Sequence, residues 1–434
     1  MGKHSDLLAR HREVLPSWMA LYYKDPIAIV DGEGRRVTDA EGNTYLDFFG
    51  GILTTMSGYR VPEVVRAIKD QADRMLHTST LYLIESQIEL AERIADLSGI
   101  PDAKVFFTNS GTEANDTALM LATQYRKSNQ VLALRGSYHG KSHSAVAITG
   151  QRSWSATSFS PFSVTYVHGG YKLRSPFGHL PDDQFTAACV NDLRDLLDIA
   201  TAGDVAAMIA EPIQGVGGFA TPPDGFLGAM KEVLDDHEVL FITDEVQTGW
   251  GRTGEHFWGY QAHDITPDLL TFAKGLGNGL AMAGVVARAE VMDCLGANSI
   301  STFGGNPLAT AGALANLSYV LDNDLQTNAH KVGNQLKNGL HHLADEVPEI
   351  AEVRGKGLMI GVEFARPDGT PDQALTTGVM EAAKAEGLLI GKGGLYGNTL
   401  RIAPPLSVTE EEAEEGLEKL TRAINRAQTH HREE

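Results

Sequence analysis

Two apolar runs in this chain end on groups that do not belong in a hydrocarbon core. In "FITDEVQTGWGRTG" (241–254) the run gives way to Asp244, and in "FAKGLGNG" (272–279) Lys274 stands before a glycine-rich turn. A lysine at the end of a buried strand, facing a cleft, has its ammonium form disfavoured by loss of water. What remains is the nucleophilic amine that Schiff-base chemistry requires. Any one lysine is more often a surface residue with its stem laid on apolar neighbours. Asp244, if buried, needs a cation or hydrogen-bond donors; the alternative is an ordinary helix-capping aspartate.

Two further stretches carry chemistry of a different kind. "TNSGTEAN" (108–115) follows an apolar run and opens a helical pattern. Ser110, Gly111 and Thr112 there offer amides and hydroxyls at a helix N-terminus, a cradle suited to phosphate. The same residues read equally as a Ser/Thr N-cap with Glu113 in the first turn. In "RGSYHGKSH" (135–143), Tyr138 and His139 could stack on a flat ring, although alone they read as loop aromatics. Taken together the four stretches describe one ligand. It has a phosphate, a flat ring, a basic ring nitrogen to meet Asp244 and an aldehyde to meet Lys274. That ligand is pyridoxal phosphate, in which an acid on the ring nitrogen keeps the ring an electron acceptor.

These residues need elements to hold them. "KVFFT" (104–108), "VLALR" (131–135), "VAAMIA" (205–210), "VLFIT" (239–243) and "LLTFA" (269–273) read as short buried strands. Helical patterns such as "EANDTALMLATQYRK" (113–127) and "GAMKEVLDDHE" lie between some of them. Alternation of this kind predicts an α/β fold with a parallel sheet wrapped by helices, and ligands collect at the carboxyl ends of such strands. Residues 27–50 read as short strands joined by Asp-Gly and Glu-Gly turns. From about residue 310 come long helices, the glycine-rich strand pair "VRGKGLMIGVEFA" and a final Glu- and Lys-rich helix, an α+β lobe.

Bulk properties narrow the classes. At 434 residues the chain is too long for one comfortable core. A net charge of −20 argues against nucleic acid or an anionic membrane as partner. Cys189 and Cys294 are too few for a disulfide framework and fit a reducing compartment. The start of the chain lacks an apolar signal region and no run is long enough to span a bilayer, so the expected location is cytoplasmic. No metal is expected, because His256 and His263 have no third ligand at a recognisable spacing; His341-His342 and His430-His431 read as a helix face and a tail.

At this point the chain resembles the class III pyridoxal-phosphate aminotransferases of fold type I. "EPIQG" (211–215), "DEVQTGWGRTG" (244–254), "PDLLTFAKGLGNG" (267–279), "TFGGNP" (302–307) and "RIAPPLSVT" (401–409) stand in family order. The resemblance implies a large cofactor domain over 61–320 and a smaller α+β domain built from 1–60 and 321–434. It implies Lys274 as Schiff-base lysine and proton shuttle, and Asp244 as partner of the ring nitrogen. Val246 and Tyr138 would face the two sides of the ring, with His139 beside Tyr138. Gln247 would reach the ring hydroxyl, and Glu211 joins the site through the EPIQG motif. Gly111 and Thr112, beside Ser110, would hold the phosphate, and Thr302 would hold it from a neighbouring subunit of a homodimer or dimer of dimers. Arg401 would bind the substrate carboxylate by a two-pronged fork.

Departures from the family pattern bear on specificity. Relatives acting on 4-aminobutyrate or ornithine follow the EPxQG motif with a glutamate that pairs with the carboxylate-binding arginine; here the residue is Val216. Arg401 is then expected to be left available for small substrates. Lys141 stands where 4-aminobutyrate relatives often carry an arginine, and Tyr59 where members often carry a histidine. With "GGILT" (50–54) and "HTSTLY" (77–82), Val216 places the chain nearest in look to the alanine–glyoxylate and β-aminoisobutyrate–pyruvate branch. The implied reaction takes an amino group from alanine, β-alanine or 3-aminoisobutyrate to pyruvate or glyoxylate. The alternatives are a 4-aminobutyrate or ornithine type transaminase, or a decarboxylating or mutase relative on the same scaffold. A dinucleotide-binding reading of "KGLGNG" fails on context, since no helix opens after the glycines.

Overall fold

The computed structural model describes residues 3–433. After a helix at Lys3–Val14, strands β1 (Ile29–Glu33), β2 (Arg36–Asp39) and β3 (Thr44–Asp47) form an antiparallel meander. The chain then builds its main sheet from β4 (Ala103–Thr108), β5 (Gln130–Leu134), β6 (Ser163–Val167), β7 (Ala207–Ala210), β8 (Leu240–Asp244), β9 (Leu269–Phe272) and β10 (Ala283–Arg288). The strand order is β4-β10-β9-β8-β7-β5-β6. β10 runs antiparallel to both of its neighbours, and every other pairing is parallel. Five of these strands match the sequence expectation closely, β7 starting two residues later than the apolar run. β6 and β10 were not anticipated.

The central strands are buried on both faces, which is why they read as continuous apolar runs rather than alternating ones. Successive residues nonetheless go to opposite layers. On β7 and β8, Met208 and Phe241 pack with Phe185, Phe226 and Met230 on one side of the sheet. Ile209 and Ile242 pack with Ala118, Leu121 and Val285 on the other. Burial of each such large side chain contributes about 1.5–3 kcal/mol. Local signals set the helix ends. Glu85–Ser98 stops at Gly99, which takes a left-handed conformation. Pro307–Asp322 starts with Pro307 in its first turn and Asn306 capping the Ala309 amide.

The C-terminal portion carries β11 (Ile350–Lys356) and β12 (Met359–Phe364), then β13 (Leu388–Leu389), β14 (Gly391–Gly393) and β15 (Thr399–Ile402). β11, β12, β15 and β14 form one sheet in that order, whereas β13 pairs in parallel with β3 at Leu388 and Leu46. The two ends of the chain therefore share a sheet. The β11–β12 turn lies against the main sheet's loops: a Cβ on Gly357 would stand 2.5 Å from Arg252 O. No helix among the described residues is long and apolar enough to cross a membrane.

Candidate active site

Asp244 is the last residue of β8, and Lys274 comes two residues after Phe272, the last of β9. The two strands are neighbours, with Asp244 opposite Thr271. Both groups thus emerge at the carboxyl end of the sheet, where the helices and loops leave a crevice. Lys274 begins a 3₁₀ turn and holds φ of +44°, a left-handed conformation that a lysine adopts only when its surroundings impose it. Met56 packs on the next residue, Gly275, where a Cβ would stand 2.6 Å from Met56 Sδ and displace that side chain. Burial, and next the positive charge of Arg401, pull the lysine pKa from 10.5 down to about 8, against the opposing pull of Asp244 and Glu211.

Asp244 is 4% exposed and fully partnered. Its Oδ2 accepts from His139 Nδ1 at 2.7 Å and from Asn115 Nδ2 at 2.8 Å, and its Oδ1 accepts from the Val246 amide at 3.1 Å. Asn115 is itself locked, since Nδ2 also donates to His139 O and Oδ1 accepts from Thr271 Oγ1. His139 was expected to stack on a ring. The structure turns its Nδ1 toward Asp244 instead, so its work is to hold the acid. Asn115 was missed by sequence reasoning. It sits inside a helical pattern as one polar residue among several, and only the approach of that helix to β8 and β9 gives it a partner.

Ser110 caps the helix Gly111–Arg126, its Oγ accepting from the Glu113 amide at 3.3 Å. The N-cap reading holds; the Gly111 and Thr112 amides of the first turn have no intrahelical partners, and both residues line the cavity. A Cβ on Gly111 would stand 3.1 Å from Val246 Cγ2. Thr112 Oγ1 accepts from the Lys141 amide at 3.3 Å, and the Lys141 side chain is exposed. Glu211 takes the Tyr138 amide on Oε1 at 2.9 Å and the Gly215 amide on Oε2 at 2.8 Å. Burial raises its pKa to about 7, with the nearby His139 opposing and Asp244 reinforcing the rise.

One cavity of about 410 Å³ joins these groups. Ser110, Gly111 and Thr112 form one end of it, Tyr138 and Val246 line its walls, and Asp244, His139, Glu211, Gln247 and Lys274 all reach it. Arg401 and Thr302 do not line it. Arg401, on β15, is 3% exposed and has its guanidinium between the rings of Phe49 and Phe219, 5.0 and 4.8 Å from their centroids. Its Nη2 donates to Gln247 Oε1 at 3.0 Å, and its buried Nε has no partner among the described residues. Among the described residues no carboxylate pairs with Arg401, and the neutral Gln247 amide meets it instead. Thr302 lies on the exposed surface of this single chain.

The residues fit pyridoxal phosphate. A helix N-terminus lined by glycine faces one end of the cavity, a locked carboxylate stands at the sheet, and an amine of lowered basicity stands between that carboxylate and a buried arginine. Among the described residues no three His, Cys, Asp or Glu side chains converge to hold a metal ion.

Comparison with known proteins agrees. The profile of the family described as aminotransferase class-III matches residues 20–424. The chain is 40% identical over 413 residues to alanine–glyoxylate aminotransferase 2 homolog 2, mitochondrial, of Arabidopsis thaliana, covering 94% of this chain and 85% of that one. It is 38% identical to acetylornithine aminotransferase of Caldanaerobacter subterraneus over 93% of this chain and 95% of that one. Among solved structures, an (S)-enantioselective omega-transaminase from Thermomicrobium roseum superposes with a TM-score of 0.90 at 32% identity, covering 98% of this chain and 99% of that one.

Proposed function

The chain belongs to the class-III aminotransferases, and from that premise we propose that it transfers the amino group of alanine, β-alanine or 3-aminoisobutyrate to pyruvate or glyoxylate. Its cofactor is pyridoxal phosphate, which when bound supplies the ring that takes up the electrons of the substrate bond being broken. The chain's own residues do the rest. Lys274 Nζ would be the amine that holds the cofactor through its aldehyde, and the same amine would serve as the proton carrier at the substrate's reacting carbon. Asp244 keeps the ring nitrogen protonated, and His139 and Asn115 keep Asp244 in place. The Gly111 and Thr112 amides would hold the phosphate, Tyr138 and Val246 would confine the ring, and Gln247, which meets Arg401 here, would be the residue nearest the ring hydroxyl in this reading. Arg401 takes the substrate carboxylate.

The observation that carries the substrate reading is the partner of Arg401. Gln247 is neutral and donates no charge to neutralise, so a small carboxylate needs only to displace or share one amide hydrogen bond. The name of the Arabidopsis thaliana relative agrees with an alanine–glyoxylate exchange, whereas the Caldanaerobacter subterraneus relative is named an acetylornithine aminotransferase. We further propose a homodimer in which Thr302 contributes to the partner's phosphate site. Support comes from the exposed apolar side chains Leu81, Tyr82, Leu83, Ile300 and Phe303. His77 lies against the Phe303 ring, which brings the 77–83 segment beside Thr302.

The test is a half-reaction panel. Purified holoenzyme is mixed in turn with L-alanine, β-alanine, 3-aminoisobutyrate, 4-aminobutyrate and L-ornithine, and the visible absorbance of the bound cofactor is followed. Rapid conversion by the first three, with the last two inert, is the expected result. Rapid conversion by 4-aminobutyrate or ornithine instead would overturn the substrate assignment and leave the transaminase chemistry standing.

A further inference from the structure

Between Asp47 and Tyr59 the chain makes a loop that touches both chemical ends of the site. Its first half belongs to Arg401. Phe49 lays its ring on the guanidinium, Phe48 O accepts from the Ala403 amide at 2.7 Å, and Gly391 has no Cβ where one would stand 2.2 Å from the Phe49 ring. Its second half belongs to the lysine turn. The Ser57 amide donates to Asn278 Oδ1 at 3.0 Å, Asn278 Nδ2 donates to Gly58 O at 3.1 Å, and Met56 packs on Gly275. Between the halves, Gly50, Gly51, Ile52 and Leu53 all hold φ between +52° and +64°. A left-handed turn that includes Ile and Leu is strained, at about 1–2 kcal/mol per residue, and persists only where its ends are fixed.

The ends are fixed by one carboxylate. Asp47, 5% exposed, accepts the Phe49 and Gly50 amides on Oδ1 at 2.9 and 3.1 Å, and the Tyr59 hydroxyl on Oδ2 at 2.5 Å. Among the described residues no basic side chain meets it. Tyr59 is held in turn through its backbone, which exchanges hydrogen bonds with Gly34 at 2.7 and 3.0 Å. Its ring lies over Gly32, where a Cβ would stand 2.8 Å from the ring.

We propose that Tyr59 and Asp47 are positioning residues for substrate binding: their hydrogen bond closes the 47–59 loop, holds Phe49 against Arg401, and so fixes the carboxylate site relative to Lys274. This rests on the reading of Arg401 as the carboxylate site. The position at which this chain departs from the family's histidine is thus the latch of the loop, and a tyrosine hydroxyl does the latching.

The experiment measures KM and kcat separately, using the best donor from the half-reaction panel and the holoenzyme throughout. Tyr59→Phe removes the hydroxyl alone. The expected result is a KM raised about tenfold, the loss of one hydrogen bond to a charged group, with kcat within twofold of the parent and cofactor absorbance unchanged. Phe49→Leu leaves the latch intact and is expected to raise KM to a similar degree, which keeps the test open if Tyr59→Phe folds poorly. Arg401→Lys is the reference. If it raises KM while Tyr59→Phe and Phe49→Leu do not, the latch proposal is overturned and the carboxylate reading stands. If Arg401→Lys itself leaves KM unchanged, the carboxylate reading falls and the latch proposal with it. A Tyr59→Phe enzyme that loses kcat and cofactor with KM unaltered would assign the pair to stability alone and overturn the proposal.

Discussion

His139 Nδ1 stands 2.7 Å from Asp244 Oδ2, with the histidine side chain wholly shut from solvent and the aspartate 4% exposed. The acid that faces the ring nitrogen is therefore oriented from behind by an imidazole and an amide, Asn115 supplying the latter. An aspartate so held is already arranged for the charge it must stabilise. Asp244→Asn keeps the shape and removes the charge. We expect kcat to fall by about 10²–10³ with cofactor still bound. His139→Gln, which disturbs only the support, should cost about tenfold. Steady-state kinetics beside cofactor absorbance separates the two, and equal losses would mean that the imidazole acts on the ring directly.

Lys274 loses its proton near pH 8 in the protein without cofactor, because burial and Arg401 both disfavour the ammonium. The lowered pKa means that the neutral, nucleophilic amine dominates above that pH and declines about tenfold for each unit below it. The rate at which apoenzyme takes up pyridoxal phosphate should accordingly rise through an inflection near pH 8 and level off above it. An inflection near the ordinary lysine value would mean that the amine is fully solvated. Lys274→Ala should abolish turnover, and residual activity near the parent level would end the mechanism proposed here.

Val216 lies beside Gly393, whose missing Cβ leaves room for Arg401 Cδ. Val216→Glu would place a carboxylate near the guanidinium, to compete with the substrate's. KM for the small α-amino acids should rise about tenfold or more, and 4-aminobutyrate or ornithine should become the better donor in the half-reaction panel. Unchanged preference would show that residue 216 does not set the choice.

Phe272 ends β9 two residues before Lys274. It packs edge-on against Trp250 at 5.5 Å and Phe107 at 6.2 Å. Phe272→Ala should destabilise the fold by about 3–5 kcal/mol through the cavity it leaves. The Tm should drop by several degrees, and the cofactor should dissociate at the same temperature at which the core unfolds. Loss of cofactor well below that temperature would indicate that the lysine turn loosens on its own.

Much of the site was legible because strand ends are. An apolar run that stops at Asp244 and another that stops short of Lys274 are local facts, and a parallel sheet turns local ends into a shared crevice. The helix start at 110–112 was legible for the same reason, as a cap directly after a strand. What stayed hidden depends on contacts between distant segments. Asn115 has meaning only once its helix crosses β8 and β9. Gln247 becomes the partner of Arg401 only when β15 is brought over the main sheet. β10 was unread because "AGVVAR" is short and lies directly after a glycine-rich turn, and nothing local distinguishes an antiparallel strand from a parallel one. The support Tyr59 gives to the site is written in φ angles at residues 50–53 that no propensity for Ile or Leu would foretell.

The reversed direction of β10 has a consequence for how such a chain can change over time. β9 and β10 are hydrogen-bonded neighbours, so the lysine rides on a connection pinned at both ends to the same ladder. Inserting or deleting residues there would shift strand register and turn buried side chains outward. The segments after β4, β5 and β7 reach the cavity from elements that are not ladder partners of β9, so their lengths and tips can vary without moving the amine. A scaffold divided in this way can explore new substrates by remodelling the walls while inheriting the reactive group unaltered.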